Sequence, residues 1–305
     1  MPGASVDDLR GVFADAGARG WLHALQVGAD PDEPSAEVSL DAEAPVPMAS
    51  VYKLPLAVAW ADLADRGETD PRAVLDLGPH RRTPGPTGVS ILQDGLRISA
   101  RDLVRLMLTL SDNAAADSIL ELVGLERLNA TVRGLGLTDT YVRHGTHSSQ
   151  QRVQLDTGTR TFEASLLALA ALHRDVQTAE YDPAVASSTS ARDMTRLLAL
   201  LWTRVVAGGE SGDLVRQSMT QQVWRNRLAA GFPHDDVTVA GKTGTLGVLR
   251  HEVGVVTFPG EHPVAVAVFT RSVRSETRLP RVDQAIGEAA RRAVHQLRRP
   301  LAGSV

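Results

Sequence analysis

Met48-Ala49-Ser50-Val51-Tyr52-Lys53-Leu54-Pro55 places a hydroxyl and an amine three residues apart where a helix begins. Pro55 has no N–H and is tolerated only within the first turn or so, where backbone donors have no intrahelical partner anyway. The helix therefore starts close to Ser50. Leu54, Leu56, Ala57, Val58, Ala59, Trp60 and Leu63 then make it apolar almost all round, the pattern of a helix running through the middle of a domain. Positions i and i+3 share a helix face, so Ser50 and Lys53 can meet as a nucleophile and its base. On its own the pair reads as a helix-capping serine and a surface lysine. Other residues must support any chemical role.

Around this helix the pattern changes twice. Residues 6 to 17 form a short amphipathic helix, and Trp21 to Val27 and Ala36 to Leu40 read as strands joined by a turn at Pro31, Asp32 and Pro34. From Glu68 to about Ala230 the spacing is almost wholly helical, with segments near 99–111, 114–123, 126–134, 162–175, 190–206 and 213–222. Val237 to Thr245, Glu252 to Phe258 and Pro263 to Arg271 are three late strands, and residues 281–297 close with a helix. Strands at both ends with helices between predict a sheet-containing α/β domain, residues 1–66 and 231–305. An all-helical domain, residues 67–230, is inserted into it, with a cleft at the border.

The chain has 305 residues, no cysteine, 22% charged residues and a net charge of −4. No basic field suggests nucleic acid, and thiolate nucleophiles, thiolate metal sites and disulfides are excluded. The apolar runs Leu54 to Ala61 and Leu166 to Leu172 are too short to cross a bilayer. Asp7, Asp8 and Asp15 break residues 1–20, which do not read as a secretory signal. A cytoplasmic protein is expected, or a secreted one if a leader has been removed. His251-Glu252 has no second histidine four residues after the first, so no zinc site is supported. Asp236 to Thr243 lacks the first glycine of a phosphate-binding loop, and no G-x-S-x-G is present.

Two further motifs fall where the cleft needs them. Ser111-Asp112-Asn113 lies at a turn between two helical segments, and Lys242-Thr243-Gly244 lies in the first late strand. The order S-x-x-K, S-D-N, K-T-G resembles the penicillin-recognising serine hydrolases, and class A beta-lactamases in particular. The resemblance spans roughly residues 20 to 297. It implies the beta-lactamase/transpeptidase-like fold, an antiparallel five-stranded sheet flanked by helices plus the inserted helical domain. It further implies that Ser50 forms an acyl-enzyme and that Lys53 takes its proton. Burial and the neighbouring Lys242 would favour a neutral Lys53. By the same resemblance the backbone N–H groups of Ser50 and Thr245 form the oxyanion hole, and Ser111 passes a proton to the leaving group. Asn113 holds the acyl amide, and Thr243 and Gly244 lie along the substrate, Thr243 on its carboxylate. Arg250 either reaches that carboxylate from the neighbouring strand or faces solvent, and Asp112 fixes the turn. The partner implied is a small-molecule acyl substrate met by a monomer, with no cofactor, metal, nucleic acid or membrane.

The resemblance breaks at one point. Class A beta-lactamases carry a water-activating glutamate in an E-x-x-L-N context, and nothing here matches it. Glu126-Arg127-Leu128-Asn129 is one residue short and lies inside an expected helix. Where the loop should be stands Tyr141-Val142-Arg143-His144-Gly145-Thr146-His147-Ser148-Ser149-Gln150, opening an insert at about 141–182 that contains an apolar helix, Phe162 to Val176. That insert is either a lid shaping a different acyl pocket or an ordinary packing helix. His144 or His147 are candidate replacement bases or exposed loop histidines, and Asp156 and Glu163 are further candidates. Alternatively no water-activating residue exists, and deacylation relies on Lys53 and Ser111, as the resemblance to carboxypeptidase-like and esterase-like relatives implies. Weak or no penicillinase activity is expected of such a serine hydrolase, an esterase or amidase being the readier reading. A sensor that holds its acyl group is the alternative.

Overall fold

The computed structural model describes residues 5–28, 37–171 and 177–298. The turn expected at Pro31, Asp32 and Pro34 lies outside the described residues, as do Ala36 and residues 172–176. The described chain runs α1 (Val6–Asp15), β1 (Ala18–Gln26), β2 (Glu37–Leu40) and β3 (Val46–Pro47). A 3-10 turn, Ala49–Tyr52, leads into α2 (Lys53–Asp65). Then come β4 (Val74–Leu77), β5 (Leu96–Ser99), α3 (Ala100–Thr109), α4 (Asn113–Val123), α5 (Leu125–Gly134), α6 (Thr146–Thr157) and α7 (Phe162–Leu169). The remainder is β6 (Ser188–Thr189), α8 (Ala191–Trp202), α9 (Glu210–Thr220), β7 (Thr238–Leu246), β8 (Leu249–Thr257), β9 (Val264–Ser272) and α10 (Pro280–Leu297).

Five strands form one antiparallel sheet in the order β2-β1-β9-β8-β7. The central β9 shows why its sequence is apolar without alternation. Val264, Val266 and Val268 pack with α1 and α10 on one face, whereas Ala265, Ala267 and Phe269 join the helical core on the other. A strand covered on both faces needs apolar residues at every position. The beta-lactamase/transpeptidase-like architecture expected from the motifs is the one observed.

α2 is the axis of the helical part. Leu54, Leu56, Ala57, Val58, Ala59, Trp60 and Ala61 are fully buried among α3, α4, α5 and α9, which explains the absence of a polar stripe. Pro55 is the third residue of α2, inside the turn where a missing N–H costs nothing.

Three expectations are corrected. The stretch read as almost wholly helical contains the antiparallel pair β4–β5, short, partly exposed and separated by residues 78–95, a Gly- and Pro-rich excursion too long to read as a hairpin loop. The segment read as a loop at 141–150 becomes α6 from Thr146 onward. Only Gln150 and Val153 of α6 are buried, so its sequence carries no amphipathic signal. Its start is fixed from another helix: Asp117 of α4 accepts the N–H groups of Thr146 at 2.7 Å and His147 at 2.8 Å. The apolar helix expected to reach Val176 ends at Leu169.

Candidate active site

Three elements converge on one cleft of about 820 Å³: the 3-10 turn before α2, the α3–α4 turn, and the edge strand β7. Ser50, Ser111, Asn113, Thr243 and Thr245 all line it. Ala49 and Ser111, which shape the first two turns, have positive φ values of 44° and 60°. Non-glycine residues in that region carry strain that tight packing must hold in place.

Lys53 is fully buried at the start of α2. Its Nζ donates to Ser111 O at 2.6 Å and to Asn113 Oδ1 at 2.8 Å, and lies 3.4 Å from Ser111 Oγ. A neutral amine has two N–H bonds and one lone pair. The two shortest contacts use both N–H groups and leave the lone pair for a hydroxyl proton. Burial pushes the Lys53 pKa down to about 7, against the opposing pull of Asp112 and Asp117. Lys242 is also fully buried, donating to Ser111 Oγ at 3.0 Å and Thr243 O at 2.8 Å. Burial first, then the charge of Lys53, holds it well below the ordinary lysine range. Both amines meet on the Ser111 hydroxyl.

β7 supplies the opposite wall. Thr243 N–H donates to Gln222 Oε1 at 2.9 Å rather than to β8. Amides two residues apart on a strand point the same way, so the Thr245 N–H leaves the free edge of β7 as well, on the cleft side. Ser50 stands second in its turn, where the first N–H groups have no internal acceptor. Gly244 is explained by proximity: a Cβ there would meet Met48 O at 2.9 Å and Val51 Cγ2 at 3.0 Å, so only glycine lets β7 lie this close to the Ser50 turn.

Asp112 accepts from the N–H groups of Val89, Ala114 and Ala115 and from Ser90 Oγ, which fixes the turn and caps α4. Arg250 lines the cleft, but its guanidinium is turned onto the backbone carbonyls of Gly247, Leu249 and Thr277. His144 lines the cleft, whereas His147 is exposed and lies apart from its wall. Glu126 and Glu163 are exposed on α5 and α7, and Asp156 accepts from Thr178 Oγ1 and Ala179 N. Asn129 pins the strand-like segment at Val142 through both its amide atoms.

Two cleft residues escaped the sequence reading. Glu180 is buried, 3.2 Å from His144 Nε2 and 2.9 Å from Arg152 Nε, and it accepts from Ser149 Oγ at 2.7 Å. Arg227 is buried too, bonded to Asp283 Oδ1, to the carbonyls of Gly244 and His251, and to Thr245 Oγ1. Both are buried by partners distant in sequence, so no local pattern marks them. Among the described residues no cluster of three or more His, Asp or Glu side chains could hold a metal ion. Among the same residues no helix is long and apolar enough to cross a membrane.

The sequence model of Beta-lactamase2, the beta-lactamase enzyme family, matches residues 5–297. The chain belongs to that family. A curated relative, the beta-lactamase regulatory protein BlaB of Streptomyces cacaoi, is 33% identical over 282 residues, covering 86% of this chain and 89% of the relative. The beta-lactamase family fold is shared with the beta-lactamase from Sphaerobacter thermophilus at a TM-score of 0.74 and 22% identity, covering 96% of this chain and 95% of that one. It is shared equally with PBP-A at a TM-score of 0.74 and 20% identity, covering 95% and 94% of the two chains. The solved structures thus share the fold, and the relative at 33% identity is a beta-lactamase regulatory protein.

Proposed function

We propose that this member of the beta-lactamase family is a serine acyl hydrolase acting on an amide or ester through a Ser50 acyl-enzyme. The observation that carries the reading is Lys53: fully buried, with a pKa near 7, and bonded to Ser111 and Asn113 beside the cleft that Ser50 lines. Ser50 Oγ attacks the acyl carbon and its proton passes to Lys53. The carbonyl oxygen takes its charge against the N–H groups of Ser50 and Thr245, where one such donor is worth roughly 3 kcal/mol. Breaking the C–N or C–O bond returns the proton to the leaving group by way of Ser111, which hydrogen-bonds both lysines.

Deacylation falls to a water activated by Lys53 and Ser111, the pair that also serves acylation, because both ring nitrogens of His144 face protein oxygens: Nε2 lies 3.2 Å from Glu180 Oε1 and Nδ1 3.3 Å from Gly145 O. Water adds to the ester carbon, its proton goes to Lys53 and on to Ser50 Oγ, and the carboxylic acid departs. With no glutamate in the E-x-x-L-N context of the family, turnover of penicillins is expected to be weak or absent.

A second reading is favoured by the regulatory relative: a sensor that is acylated and keeps its acyl group. The two readings share acylation and differ in the lifetime of the adduct. Loading with an activated ester or fluorescent penicillin, followed by a chase, tests the proposal. Decay within seconds supports the hydrolase, and persistence over hours supports the sensor.

A further inference from the structure

α7 gives the cleft a wall of unusual chemistry. Phe162, Leu166, Leu169 and Ala170 follow one another at helical spacing and all line the cleft. Leu169 is buried against Leu246 and Tyr181, whereas Phe162, Leu166 and Ala170 are only half-buried. A helix that served packing alone would have these side chains covered. Here they are left partly bare towards open space.

The bare surface runs up to the nucleophile. Ala49, the residue before Ser50, packs in the same apolar cluster as Phe162, Leu166 and Leu246, and Leu246 directly follows Thr245. A carbonyl carbon held between Ser50 Oγ and the N–H groups of Ser50 and Thr245 therefore has apolar side chains beside it from both elements. The polar groups His144, Ser149 and Glu180 also line the cleft; Ser149 Oγ donates to Glu180, and His144 Nε2 lies 3.2 Å from Glu180 without a hydrogen bond. At ~30 Å³ per heavy-atom-sized group, an eight-carbon acyl group needs roughly 300 Å³. The cleft of about 820 Å³ holds that with room for a leaving group.

We propose that the substrate is an ester or amide whose acyl group is a linear apolar chain of roughly six to ten carbons, received by the wall of Phe162, Leu166 and Leu169. This rests on acylation of Ser50 as proposed above. The reaction is the same acyl transfer, with the fatty acid and the alcohol or amine as products.

The test is a chain-length series of p-nitrophenyl acetate, butyrate, hexanoate and octanoate, with Ser50→Ala as the blank. Burying one methylene is worth ~0.8 kcal/mol, about fourfold in kcat/KM at 1.36 kcal/mol per tenfold. Full burial of the six added methylenes would give roughly three to four orders of magnitude from acetate to octanoate, and partial burial along the half-covered wall roughly two or more. Leu166→Asp should lower the octanoate-to-acetate ratio at least tenfold. Phe162→Ala, a plain truncation of a half-buried ring, should lower it in the same direction should Leu166→Asp not fold. A flat or falling series in which acetate still acylates Ser50 overturns this inference and leaves the hydrolase reading standing. Failure of every ester to acylate Ser50 removes both.

Discussion

Lys53 Nζ donates to the carbonyl oxygen of Ser111 at 2.6 Å, so the amine of α2 is tied to the very turn that presents the second serine. The contact links the two halves of the proposed proton path. It also holds Ser111 in its left-handed conformation, φ 60°.

From the burial of Lys53 follows a pH dependence. Its pKa lies near 7, and only the neutral amine accepts a proton. The acylation rate of an activated ester should therefore be low at acidic pH and rise through a midpoint near 7. Lys53→Ala should lower it by ~10²–10⁴ and remove the rise. Stopped-flow acylation between pH 5 and 9 reads both effects, and a rate that falls across that range contradicts the role.

His144 should be dispensable for both chemical steps, because its two ring nitrogens face Glu180 and the Gly145 carbonyl. His144→Ala is expected to change neither the acylation burst nor deacylation by as much as the ~10²–10⁴ that removal of a general base costs. Burst and steady-state phases of one ester assay separate the steps. A loss of that size confined to the second phase would make His144 the deacylating base.

Gly244→Ala should damage both stability and acylation. The added Cβ meets Met48 O at 2.9 Å and Val51 Cγ2 at 3.0 Å, so β7 must move away from the Ser50 turn. A loss of about 1–3 kcal/mol is expected for such overpacking, read by denaturant unfolding. Acylation should fall as the Thr245 N–H moves with the strand.

Asp117 secures the segment that carries His144. Its carboxylate accepts from Thr83 Oγ1 and from the N–H groups of Thr146 and His147. Asp117→Ala leaves these donors without their partner and should cost about 1–3 kcal/mol. Hydrogen exchange should speed up at Thr146 and His147 first. Unchanged protection there would show that α6 starts without help from α4.

The large features were legible because chemistry and periodicity coincide in them. Pro55 marked the first turn of α2, and the apolar run Leu54 to Ala61 marked its burial. The apolar stretch from Pro263 to Arg271 marked a strand, and the three motifs marked the cleft, whereas the covering of β9 on both faces shows only in the structure. What escaped depends on contacts across the chain. α6 is polar and is started by Asp117, so its own sequence reads as loop. Glu180 is buried by Ser149 and Arg152, and Arg227 by Asp283 and the carbonyls of Gly244 and His251. Gly244 looked like part of a substrate motif, and its missing Cβ proves necessary for strand and turn to touch.

Acylation of Ser50 is the central claim, and intact-mass measurement followed by peptide mapping tests it most directly. Mixing the protein with an activated ester or fluorescent penicillin should add one acyl mass, mapped to the peptide containing Ser50 and absent from Ser50→Ala. An adduct elsewhere, an equal adduct on Ser50→Ala, or no adduct together with no turnover would contradict the account.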